Sequence, residues 1–147
     1  MMTLQPLDLT DRGEVHQLVE FINTHYRAAV PLTESAVASG RTKFFWALVE
    51  GKRVGASAYV ERTPALAETV KSVIDPAHRG RGYGAMLSQA IEDQVRRDGY
   101  KKAMTTIYID NFSMILIKLR QGYRFEGFHP DHEHPGWHEY SFGKVLG

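Results

Sequence analysis

The sequence predicts an α/β sandwich with a mixed sheet, in one domain over residues 1–147. Three observations predict it. A chain of 147 residues suits one domain with one core. Its hydrophobic patterns alternate between strand and helix periods in the order β-α-α-β-β-β-α-β-α-β-β. No repeat, low-complexity tract or long linker divides it.

The elements follow in order. "TLQPLD" reads as a short first strand. Asp11 is the expected N-cap of "RGEVHQLVEFINTHY", where Val15, Leu18, Val19 and Ile22 recur at helical spacing. "LTESAVASG" reads as a short second helix closed by Gly40. "KFFWALVEGKRVGASAYVER" reads as a hairpin turning at Gly51, with Trp46 and Phe44 alternating in its first strand and Trp46 in the core. "AETVKSVID" is a central strand ended by Pro76. After the glycines at 80, 82 and 84, Met86, Leu87, Ala90, Ile91 and Val95 share one helix face, and Gly99 closes that helix. "KAMTTIYI" is a strand and "NFSMILIKLRQ" a helix capped near Asp110 or Asn111 and stopped by Gly122. "YRFEGF" and "HEYSFGKVL" are the closing strands, with residues 129–138 as the loop between them.

Composition excludes several functions. The 18 Lys and Arg balance 17 Asp and Glu, so nothing suggests a nucleic acid partner. There is no cysteine, which removes disulfides, thiolate metal sites and a cysteine nucleophile. No apolar run has the length of a membrane span, and the N-terminus lacks the basic-then-apolar order of a secretion signal. A cytoplasmic protein without membrane contact is expected.

The stretch "VIDPAHRGRGYGAML" places glycines and two arginines between a strand and a helix start. The first N–H groups of a helix lack intrahelical acceptors, the dipole is positive there, and glycine admits close approach. Either this is a tight turn or it cradles a phosphate. It lacks the Lys-Ser/Thr of a P-loop and the distal acidic residue of a dinucleotide fold.

Its surroundings add to that. Arg79, Gly82 and Gly84, with Ile74-Asp75-Pro76 upstream, resemble the central motif of the GNAT superfamily of acyl-CoA-dependent N-acyltransferases. "NFSMILIKLRQGYRFEGF" resembles the family's Asn-led helix and following strand, at Asn111, Arg120, Gly122 and Tyr123. Length and element order agree as well. The resemblance implies a mixed, mostly antiparallel sheet of about six to seven strands flanked by about four helices, with a splayed central strand pair. It implies an N-acetyltransferase that moves an acetyl group directly from acetyl-CoA to a primary amine of a small molecule or a protein. A catalytically silent CoA-binding regulatory domain is the alternative. A homodimer and a monomer both stay open.

The implied roles fall on particular residues. Backbone N–H groups of Arg79, Gly80, Arg81, Gly82, Tyr83, Gly84 and Ala85 would bind the CoA pyrophosphate. The strand around Val73 and Ile74 would bulge away from "KAMTTIYI", and pantetheine would lie in the gap. Asn111 would reach the pantetheine arm or cap its helix.

An alkylamine is protonated at neutral pH, so a base is needed. Glu68 opens the central strand where several family members carry such a glutamate; otherwise it is an exposed strand-end charge. His138 and Glu139 on the last strand are second choices. Where many members place an acid tyrosine, four residues before the glycine, this chain has Lys118. It would donate a proton to the thiolate or hold it electrostatically; the usual exposure of lysine favours a solvated residue instead. His129, His132, His134 and His138 are read as loop residues near the acceptor rather than a metal site. The acceptor side would comprise Phe21 to Arg27, "AVPLTESA" and residues 129–139, with Phe21 packing on the sheet. Trp137 either walls the acceptor pocket or packs on the sheet edge.

Overall fold

Capping and amphipathic spacing give the helices their bounds in the computed structural model, which describes residues 1–147. The elements are β1 (Met2–Pro6), α1 (Arg12–His25), α2 (Glu34–Ala38), β2 (Thr42–Val49), β3 (Lys52–Thr63), β4 (Leu66–Ile74), a single 3-10 turn (Pro76–His78), α3 (Tyr83–Arg97), β5 (Lys102–Tyr108), α4 (Phe112–Arg120), β6 (Arg124–His134) and β7 (Trp137–Val145). This is the expected order. Asp11 caps α1 by accepting from Glu14 N at 3.2 Å, as its position implied.

Seven strands form one sheet in the order β1-β2-β3-β4-β5-β7-β6. All neighbours are antiparallel except β4 and β5, which run parallel and pair only from Leu66–Lys102 to Glu68–Met104. Just past that point Thr105 Oγ1 donates to Thr69 O at 3.1 Å, and then the two strands diverge. The expected splayed pair is therefore β4 and β5. The bulge itself lies upstream of Val73 and Ile74. The register with β3 shifts between Val70 and Val73, and Lys71 there adopts a left-handed φ of 57°. Gly55 faces this segment across the sheet, where any Cβ would collide with the Val73 carbonyl.

The two sheet faces carry separate cores. Helix α1 packs Val15, Leu18, Val19 and Ile22 on Phe44, Trp46, Ala56 and Ala58. On the other face, Ile91 and Val95 of α3 pack on Phe45, Tyr59, Ala67, Ala103, Ile107 and Phe142. Strand parity then assigns the remaining side chains. Glu68, Tyr108 and Glu139 stand one residue out of step with Ala67, Ile107 and Phe142, so they project on the α1 face. No helix is long and apolar enough to cross a membrane.

Residues 129–138 correct the expected loop. β6 continues to His134, and the chain reverses through Pro135 and Gly136 (φ 86°) into β7. Because β6 is the sheet's edge, Pro130 can sit in it without deleting a ladder hydrogen bond.

Candidate active site

Divergence of β4 from β5 opens a cleft of about 1030 Å³, lined from both faces of the sheet. Val73 and Ile74 border it along β4 and Arg79 just past the 3-10 turn, and Ser88, Met114 and Lys118 enter from the α3–α4 side. His25, Tyr26 and Arg27 enter from the end of α1, with His132, Glu133 and Glu139 from the last hairpin. Beyond Glu68 the facing edges of β4 and β5 have no ladder partner, so an extended group between them can take up their N–H and C=O groups.

At one end of this cleft stands the glycine turn. Gly80 and Gly82 have φ values of 80° and 79°, the left-handed region that glycine enters without strain. Gly84 is helical instead, and a Cβ built on it would stand 3.6 Å from Ile117 of α4. The backbone N–H groups of residues 80 through 85 donate to nothing within the chain. Six consecutive free donors at a helix start, with Arg81 among them, could accept a phosphate group. Arg79 is exposed, but its Nε donates to Ile74 O at 3.2 Å and so ties the turn to the end of β4.

Asn111 caps α4, its side chain accepting from Met114 N at 3.3 Å, and it lines the cleft as well. The two readings of Asn111 are thus compatible.

Lys118 overturns the expectation of a solvated lysine. It is 4% exposed and is the buried residue of α4, while Phe112, Leu116 and Leu119 of the same helix face solvent. Its ammonium lies over the Tyr123 ring at 4.5 Å and makes no hydrogen bond or ion pair in the chain. The neighbouring carboxylate, Glu92, is already held by Lys144 and Arg96, each at 3.0 Å. Burial drives the Lys118 pKa down to about 8; Glu92 opposes this and Lys144 adds to it. Tyr123 packs in the core, as its aromatic position implied.

On the α1 face, Glu68 lies at the mouth of the β4–β5 fork and accepts from Arg62 Nε at 2.8 Å. Glu139 sits opposite Tyr108 in the β5–β7 ladder and is 2% exposed. Its Oε2 has no hydrogen-bond partner. Burial raises its pKa above the usual carboxylate range, and Glu133 and Glu68 raise it further. Burial likewise pushes the Tyr26 phenol up to about 12, with Glu133 and Glu139 adding to the shift. Tyr108 donates to Glu133 Oε2 at 2.5 Å, and its pKa is raised by burial and by that bond.

His138 does not join this group. Parity turns it to the opposite face of β7, where its Nδ1 accepts from Asp131 N at 3.0 Å and its ring packs beside Phe128. Trp137 backs the cleft wall, its ring 5.9 Å from that of Tyr108 and the Arg27 guanidinium against both. Phe21 packs on Trp46 at 5.5 Å, as expected of a sheet contact. Tyr108 and Arg62 carried no functional expectation, and Glu133 only that of its segment, residues 129–139, on the acceptor side. Glu133 lay inside the presumed loop, and only recognition of β6 as a strand would have set it beside Tyr108.

Comparison with known proteins agrees with this geometry. A Salmonella typhimurium protein solved with its cofactor acetyl-CoA superposes with a TM-score of 0.78 at 16% identity, over 99% of this chain and 94% of that one. A Bacillus subtilis acetyltransferase in complex with CoA gives 0.80 at 11% identity, over 99% of both chains. These likenesses show the fold. In sequence, the chain is 36% identical to mycothiol acetyltransferase of Nocardiopsis dassonvillei over 63 residues, which make up 43% of this chain and 19% of that much longer protein. The profile of the Acetyltransferase (GNAT) family matches residues 12–123, and with most of its length so covered the chain belongs to that family.

Proposed function

We propose that this chain is an N-acetyltransferase that moves an acetyl group directly from acetyl-CoA to a primary amine. The observation that carries the reading is the cleft through the sheet. One end is a set of free N–H groups at residues 80 to 85, and the middle is an unpaired β edge. The far end, on the other face, is a polar pocket where Glu68, Glu133 and Glu139 stand among Arg27, Arg62 and Lys71. In this reading the pyrophosphate of CoA takes the glycine turn and Arg79 to Ala85. The pantetheine arm runs beside Val73 and Ile74, and the thioester lies at the fork near Glu68. An amine reaches it from the α1 face.

The chemistry then divides among residues of this chain. A carboxylate on the α1 face receives the amine's proton; Glu68 and Glu139 both line the cleft there, and His138 does not. A backbone N–H on the free edge of β4 meets the developing oxyanion. Lys118, charged and without a counterion, faces the sulfur as it becomes a thiolate, the role for which the family more often uses tyrosine. A thiol pKa near 8.5 and a lysine pKa of about 8 are closely matched for proton transfer. The absence of cysteine fits transfer without an acyl-cysteine intermediate.

Melting temperature with acetyl-CoA, CoA, NAD or ATP tests the donor. A ligand at a hundredfold its Kd adds about 2.7 kcal/mol, a rise of several degrees for a domain of this size. A rise with acetyl-CoA and CoA alone is expected, and its absence at millimolar acetyl-CoA would sink the reading. Release of free thiol in the presence of amines separates an enzyme from a silent acyl-CoA sensor.

A further inference from the structure

The acceptor half of the cleft contains two carboxylates that make no ion pair within the chain, with His132 acting on Glu139 only through space and Lys71 further along the same wall. Glu68 is bound by Arg62 at 2.8 Å and Asp110 by Arg27 at 3.1 Å. Glu133 and Glu139 have no ion-pair partner, and both line the cleft. Glu133 accepts only the Tyr108 hydroxyl. Glu139 is 2% exposed with Oε2 wholly unpartnered, an arrangement that a buried carboxylate tolerates poorly unless a ligand completes it. Three further groups complete the wall. Tyr26 closes it from α1, with Lys71 of β4 over its ring at 5.1 Å, and His132 of β6 lies beside them. Ring faces here already attract the chain's own cations, Arg27 standing over Tyr108 at 4.1 Å.

We propose that this pocket binds a compact aliphatic diamine, with one ammonium group at Glu139 and the other at Glu133, and that Glu139 takes the proton of the amine that reacts. The proposal rests on the acetyltransferase reading above. Two carboxylates without an ion-pair partner match two positive charges, whereas an α-amino acid would bring a third carboxylate against them, and a peptide N-terminus would satisfy only one.

The reaction balances as follows. Glu139 accepts one proton from the ammonium, leaving a neutral amine and a neutral carboxyl group. The amine lone pair forms the C–N bond at the thioester carbonyl, the C–S bond breaks, and sulfur leaves with its electron pair. The second proton on nitrogen passes to that thiolate by way of Lys118, giving free CoA thiol and the amide. The proton on Glu139 returns to solvent. The distal ammonium stays at Glu133 throughout, so the pocket keeps one ion pair when Glu139 is neutral.

The test is thiol release from acetyl-CoA with diaminobutane, aminobutane and aminobutanoate, which share a chain length and carry net charges of two, one and zero, and with a short peptide bearing a free N-terminus. We expect kcat/KM to fall in that order, with diaminobutane about tenfold or more above aminobutane. Glu139→Gln should lower kcat by about 10²–10⁴ while the melting shift with acetyl-CoA persists. Glu139→Asp, measured beside it, should retain part of kcat and so separates lost chemistry from lost folding. Glu133→Gln should raise KM for diaminobutane more than for aminobutane. A preference for aminobutanoate or the peptide, wild-type kcat in Glu139→Gln, or acetyl-CoA binding with no turnover of these amines would overturn the proposal alone. Loss of the acetyl-CoA melting shift in the wild type would overturn the acetyltransferase reading instead.

Discussion

Lys118 ties stability to chemistry at one position. Its folded pKa of about 8 lies below the unfolded value near 10.4, so the fold disfavours the protonated form. The cost is fully present below pH 8 and fades as pH rises to the unfolded value. At neutral pH it is about 3 kcal/mol. Lys118→Met should therefore raise the melting temperature at pH 7 and lose that advantage near pH 10.5, as scans at the two pH values would show. The same substitution should lower kcat about 10- to 100-fold in thiol release, because in the proposed mechanism the departing sulfur loses its charge partner. The inversion was not legible in the sequence. Apolar spacing in "NFSMILIKLRQ" suggests that leucines face inward, but Leu116 and Leu119 are 46% and 48% exposed. The cleft, not the core, sets which face of this helix is inward. Glu139 was partly legible, for parity distinguishes it from His138 once the buried face of the strand is known.

At the scale of elements, most of the fold was written in local signals. Caps at Asp11 and Asn111 and the glycines after the last turns of α3 and α4 give the helix bounds. The one strand misread, the outer half of β6, carries Pro130, which argues against a strand only where both edges are paired. The glycine turn invites an element-level test. Nothing lies within 4 Å of a Cβ built at Gly82, so Gly82→Ala meets no clash but must hold a left-handed φ. That strain costs about 1–2 kcal/mol. The variant should melt lower and bind acetyl-CoA about tenfold more weakly, as calorimetry would show, if the free N–H groups shift with it. Asn111→Ala, which removes the α4 cap, should cost about 1 kcal/mol of stability in denaturant melts. A loss of acetyl-CoA affinity beyond that cost would indicate that Asn111 also meets the pantetheine arm.

Across the whole molecule, the sheet hydrogen bonds that join the first four strands to the last three are confined to the short β4–β5 ladder and the Thr69 and Thr105 side-chain bonds beside it. A ligand lying between the free edges would bridge the two halves. Acetyl-CoA should then slow hydrogen exchange at amides 70–74 and 105–108 more than in β1 or β2, a difference mass spectrometry can read. Gly55 serves the same junction by letting β3 approach the end of β4, and Gly55→Ala should destabilise the chain because Val73 backbone, not a mobile side chain, fills the space. The passage also runs through the sheet instead of ending in a blind pocket. Donor and acceptor that enter from opposite faces do not block each other's exit, so both can be resident at once. Double-reciprocal plots should then intersect rather than run parallel. A single molecule joining CoA to an amine through a short acyl bridge should span the passage and inhibit against both substrates.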